Sequence, residues 1–105
     1  MTPQTARRLY RVAIDLRVAA WACRRAAGDL PSFARAQWSA YCARHVRRAL
    51  SVPLARGEVG DSHRYARSLA TRAEALIEID PVAASDELER AGRGLARVLE
   101  ESHGN

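Results

Sequence analysis

The side chains best equipped for chemistry in this chain are cationic. Arg7, Arg8, Arg11, Arg24, Arg25, Arg44, Arg47 and Arg48 crowd into its first half. A guanidinium fork donates parallel hydrogen bonds to phosphate oxygens and stacks on bases or aromatic rings. Phosphate neutralisation supplies most of the sequence-independent affinity for nucleic acid and makes it salt-sensitive. Trp21, Trp38 and Tyr41 lie among these arginines and offer faces on which unpaired bases can stack. The competing reading is a solvated basic surface that meets the acidic second half of the same chain. No zinc-finger spacing, aromatic sheet motif or helix-turn-helix pattern accompanies the arginines.

Other residues are weaker candidates. His45 falls at helical spacing from Trp38, Tyr41 and Cys42, where it can act as a base or bind a ligand, but such a histidine is more often a satisfied core or interface residue. Cys42 and His45 are two ligands without the further donors that a metal site needs. Glu74, Glu78, Asp86, Glu87 and Glu89 fall on the outer faces of amphipathic helices, as solvated charges with local arginine partners. Arg56 and His63, with six residues between them, loosely resemble the arginine–histidine pair of helical HEPN-type ribonucleases, which acts on phosphodiester bonds. Here the pair spans a glycine-containing loop and lacks the surroundings of that motif. The expectation is therefore a non-enzymatic chain with no catalytic residues, no metal and no cofactor.

Charge is divided unevenly along the chain. All 17 basic residues are arginine. Residues 1–56 hold eleven arginines against Asp15 and Asp29, a net of +9, and residues 57–105 hold six against ten carboxylates, a net of −4. A GC-rich genome would account for the absence of lysine but not for the division. Such a division implies a polyanionic partner, an acidic protein surface, or pairing between the two halves.

The elements that must position these residues are helices. At 105 residues the chain is expected to form one helical bundle domain, 1–105. About one residue in five is alanine, and arginine, leucine and glutamate add further helix propensity. Punctuation divides the chain into helices at about 3–27, 31–50, 62–79 and 81–102. Thr2-Pro3 and Asp80-Pro81 read as N-cap and first-turn pairs, Gly28 as a stop, and Asp61 or Ser62 as the third cap. The loop at 51–61 has room for a short extra helical turn. The tight Asp80-Pro81 junction makes the last two helices antiparallel neighbours, so the fold class is all-α, an antiparallel four-helix bundle.

The last two helices carry one apolar stripe each: Ala66, Leu69, Ala70, Ala73, Leu76 and Ile77, then Ala84, Leu88, Ala91, Leu95 and Val98. The first two carry apolar residues on two sides. One face of the first helix holds Leu9, Val12, Ala13, Leu16, Ala20, Cys23 and Ala27, with Ile14, Val18 and Trp21 opposite. In the second, Phe33, Ala36, Ala40, Ala43 and Leu50 oppose Trp38, Tyr41, Cys42, His45 and Ala49. Two apolar sides on two helices imply burial on both sides or a docked partner, and Trp21, Trp38 and Tyr41 are the expected protein-interface residues.

Arg7, Arg8 and Arg11 precede an apolar stretch ending in Cys23, as in a secretory signal, but Asp15 and Arg17 interrupt it and Trp21 crowds the cleavage point. No stretch approaches the ~18 apolar residues of a membrane span. Cys23 and Cys42 lack metal-type spacing and read as reduced thiols in a cytoplasmic protein.

With its bundle pattern over residues 3–102, its basic segment from Arg7 to Arg48 and its surplus apolar faces at Trp21 and Trp38, the chain resembles the small all-helical subunits of multi-subunit CRISPR ribonucleoprotein complexes. That resemblance is one of architecture and implies a helical subunit that presents a basic surface to nucleic acid and touches neighbouring subunits. The expected partners are RNA or single-stranded DNA, through backbone contacts, and other protein subunits or further copies, with no membrane. The rival expectation is a small phage- or plasmid-type regulator or inhibitor whose basic face meets an acidic protein.

Overall fold

The computed structural model describes residues 2–53 and 61–103, and among them the chain forms four α-helices and no strand. These are α1 (Pro3–Ala26), α2 (Ser32–Ser51), α3 (Asp61–Leu76) and α4 (Pro81–His103). The fold is the expected all-α four-helix bundle. Most of the 51–61 loop, including Arg56, and the side chains of Asp61 and Ser62 lie outside the described residues.

Local chemistry sets the helix ends. Thr2 Oγ1 accepts the Thr5 amide at 3.1 Å, and Pro3 opens the first turn, where its missing N–H costs nothing. The amides of Ala27 and Gly28 bond back to Cys23 and Arg25 and close α1. Asp80 Oδ1 accepts the Ala83 amide at 3.1 Å, so Asp80-Pro81 starts α4 as its residues suggest. α3 stops three residues short of the expected Ile79. There the amides of Ile79 and Asp80 both turn back onto the Leu76 carbonyl, at 3.1 and 2.7 Å, and Ile79 is left 80% exposed.

α1 is the hub. It packs along both α2 and α4, α3 packs along α4, and α2 and α3 meet only lightly. Neighbours run antiparallel: low-numbered Arg8 reaches Pro53 on one side of α1, while Trp21 meets Trp38 further along. On the other side Ser85 Oγ donates to the Ala20 carbonyl at 3.2 Å, and a Cβ on Gly92 would come within 3.0 Å of Arg17 Cγ. Buried Leu9, Leu16, Leu69, Leu88, Leu95 and Leu99 fill the core, and alanines between them allow close helix approach.

The stripes of α3 and α4 are buried as expected, except that Leu99 replaces Val98 in the innermost position and Leu76 is half-buried. Two expectations are corrected. Ala27 follows the last turn of α1 and is exposed rather than part of its core face. The two sides of α2 are not equivalent: Cys42, Val46 and Ala49 enter the core, whereas Phe33, Ala36 and Ala40 are exposed beside the poorly filled seam with α3.

Candidate nucleic-acid interface

At 100° per residue, α1 turns Arg7, Arg11, Ile14, Val18, Trp21 and Arg25 to one outer arc, and α2 turns Tyr41, Arg44 and Arg48 to the adjoining one. Ile14 is 60%, Trp21 46% and Tyr41 36% exposed. A ladder of rings joins the two helices beneath this face. Trp21 meets Trp38 edge-on at 5.0 Å between centroids, and Trp38 meets Tyr41 edge-on at 6.0 Å. Tyr41 then lies 4.6 Å from the His45 ring. The Arg25 guanidinium carbon lies 5.3 Å from the centroid of the Trp21 ring, a cation–π arrangement that leaves the guanidinium exposed. Trp38 is half-buried and packs against the core, whereas Trp21 and Tyr41 flank it at the surface.

The ladder ends in a buried carboxylate. His45 Nδ1 lies 2.9 Å from Asp15 Oδ1. A carboxylate only accepts hydrogen bonds, so Nδ1 carries the proton and donates. Asp15 is the only carboxylate in α1 and α2 together, and it is withdrawn from solvent. The outer face of this helix pair therefore presents positive charge with no acidic side chain interspersed. Asp15 was not a candidate from sequence. Its signal was the placement of a charge on the inward flank of an amphipathic helix, between buried Val12, Ala13 and Leu16.

The eight candidate arginines have different surroundings. Arg24 is ion-paired with Glu89 of α4, and Arg47 lies 3.6 Å from Glu74 of α3. Arg8 Nη1 donates to the Pro53 carbonyl at 3.2 Å, and Arg25 covers Trp21. Arg7, Arg11, Arg44 and Arg48 are exposed and make no ion pair among the described residues. Carboxylates of the second half are engaged as well: Glu89 also approaches Arg93 at 3.8 Å, whereas Glu87 is not the expected solvated charge with a local partner but a largely buried group that pairs with Arg72 of α3 at 3.3 Å.

The remaining candidates are dispersed. Arg56 lies outside the described residues, so its spacing from His63 has no geometric counterpart. His63 is buried at the α1–α2–α3 junction, where burial and then the Arg67 charge hold its imidazole below the usual histidine range. Cys42 points away from His45 to Cys23. Both cysteines are free, buried thiols, one on α1 and one on α2, close enough to perturb each other. The neighbouring Cys23 thiol, reinforced by burial, pushes the Cys42 thiol far up, while the Cys42 thiol draws that of Cys23 down. No three histidine, cysteine or carboxylate groups gather at metal-binding distance among the described residues. Among the described residues no helix is long and apolar enough to cross a membrane.

As assembled, the α1–α2 face can bind anions through four guanidiniums that are unpaired among the described residues, and offers aromatic edges beside them. No protein-family model, curated protein or solved structure matches this chain.

Proposed function

We propose that this chain is a non-enzymatic helical subunit of a larger ribonucleoprotein or protein assembly, and that it holds nucleic acid by its phosphate backbone. One observation carries the reading: among the described residues, Arg7, Arg11, Arg44 and Arg48 stand exposed without acidic partners on adjoining helices whose single carboxylate is buried. Charges that served only to match the acidic half would be spent on it, as Arg24 and Arg47 are. The exposed rings of Trp21 and Tyr41 favour RNA or single-stranded DNA over duplex, because unpaired bases can stack on them. Phosphate contacts carry no sequence information, so specificity belongs to the assembly.

Fluorescence anisotropy with labelled single-stranded RNA, single-stranded DNA and duplex DNA across a salt series tests this reading. The expected result is tighter binding to single strands, with log affinity falling linearly with log salt. Absence of binding at low salt would overturn it and turn the search to an acidic protein bound by a small regulator.

A further inference from the structure

A second surface lies across α2 from the arginine face. Between α2 and α3 runs an open groove of roughly 690 Å³. Its floor is low because Ala36, Ala40, Ala43 and Ala75 line it. Its two walls are oppositely charged: Arg35 and Arg47 stand on the α2 side, Glu74 and Glu78 on the α3 side. At one end large apolar side chains project, Phe33 being 70% and Ile79 80% exposed.

These features select among occupants. The acidic wall disfavours a phosphate chain. A uniformly charged peptide would match one wall and be repelled by the other. A second copy of this chain matches both. Two-fold symmetry lays α2 of each copy against α3 of the other, so the same basic-to-acidic contact is made twice. Arg47 is already turned toward Glu74 within the chain. Arg35 makes only an exposed hydrogen bond to the Leu30 carbonyl, and Glu78 has no ion pair among the described residues. Both remain available to a partner. The projecting Phe33 supplies the bulk that the small-residue floor lacks.

We propose that the α2–α3 groove is the interface of a symmetric homodimer, in which Arg35 of each copy pairs with Glu78 of the other and Phe33 fills the opposite groove. Association through this groove leaves Tyr41, Arg44 and Arg48 uncovered on the other side of α2 and doubles the arginine surface available to a single strand.

Sedimentation velocity of the full chain, without nucleic acid, tests the proposal at about 100 µM protein. The wild type is expected to sediment as a dimer. Arg35→Glu and Glu78→Arg each place like charges together twice, and each should raise the dimer Kd by about tenfold or more. Mixing the two variants in equal amounts should restore a dimer. In the mixed pair one contact has its charges exchanged and the other is native, so both attract. Ala40→Arg fills the groove without touching either charge and should leave a monomer of unchanged helical circular dichroism. A monomeric wild type would overturn the proposal, as would single variants that remain dimeric or a mixture that stays monomeric. Because nucleic acid is absent, such a failure leaves the phosphate-binding reading to be judged on its own experiment.

Discussion

Asp15 Oδ1 on α1 lies 2.9 Å from Nδ1 of His45 on α2, with the two side chains only 7% and 13% exposed. The second oxygen of Asp15 is buried without a hydrogen-bond partner among the described residues. Everything that compensates this carboxylate within the described chain therefore comes through one imidazole. Removing one member of a buried polar pair costs more than the pair contributes, because the other is stranded. His45→Ala is expected to destabilise the fold by about 3 kcal/mol. The double replacement Asp15→Ala with His45→Ala should cost less than His45→Ala alone. Urea unfolding of the four proteins in the cycle measures this, and additive losses would show that the two residues do not act together.

The arginine face predicts a contrast within one residue type. Arg44 and Arg48 are unpaired, whereas Arg24 and Arg47 are engaged by Glu89 and Glu74. Replacing Arg44 and Arg48 by alanine should lower the salt slope for single-stranded nucleic acid by roughly 0.7 per lost phosphate contact. Replacing Arg24 and Arg47 should change it less. Equal effects from both double variants would mean that bulk charge, not this face, drives binding.

The buried thiols make a simple redox prediction. Cys23 and Cys42 are free and inaccessible, so adding reductant should leave Tm unchanged. Thiol reagents should label the native protein slowly and the urea-unfolded protein at once. A large fall in Tm with reductant would reveal a Cys23–Cys42 disulfide instead.

His63 gives stability a pH dependence of known sign. Burial and Arg67 lower its proton affinity in the folded chain, so the unfolded chain binds more protons as pH falls. Its contribution is complete above the ordinary histidine value of about 6.5 and is lost as pH falls through that value toward the lower folded-state one. Thermal melts from about pH 7.5 to about pH 5 should show a smaller loss of Tm for His63→Leu than for wild type. Parallel curves would remove His63 as the cause.

Much of the architecture was legible because its signals are local. Thr2-Pro3 and Asp80-Pro81 act through atoms within one turn, and the stripes of α3 and α4 need only a 3.6-residue period. The second helix shows where local reading stops. Phe33, Ala36 and Ala40 have the same period as Cys42, Val46 and Ala49, and only packing decides which set faces the leucines. The site divided in the same way. The arginines announce themselves by composition, but which of them are neutralised depends on Glu74 and Glu89 from distant positions in the chain. Asp15 and His45 are thirty residues apart, and nothing in either neighbourhood names the other.

The shallow seating of α2 bears on the order in which the chain folds. α2 contributes only Cys42, Val46 and Ala49 to the buried interior, and none of its first ten residues is buried. The large core leucines belong to α1, α3 and α4. With the large leucines in those three helices, α2 is expected to close over α1 late in folding. Its amides, above all those of the N-terminal half, should exchange with solvent sooner than those of the other three helices, and uniform protection across the four would contradict this order.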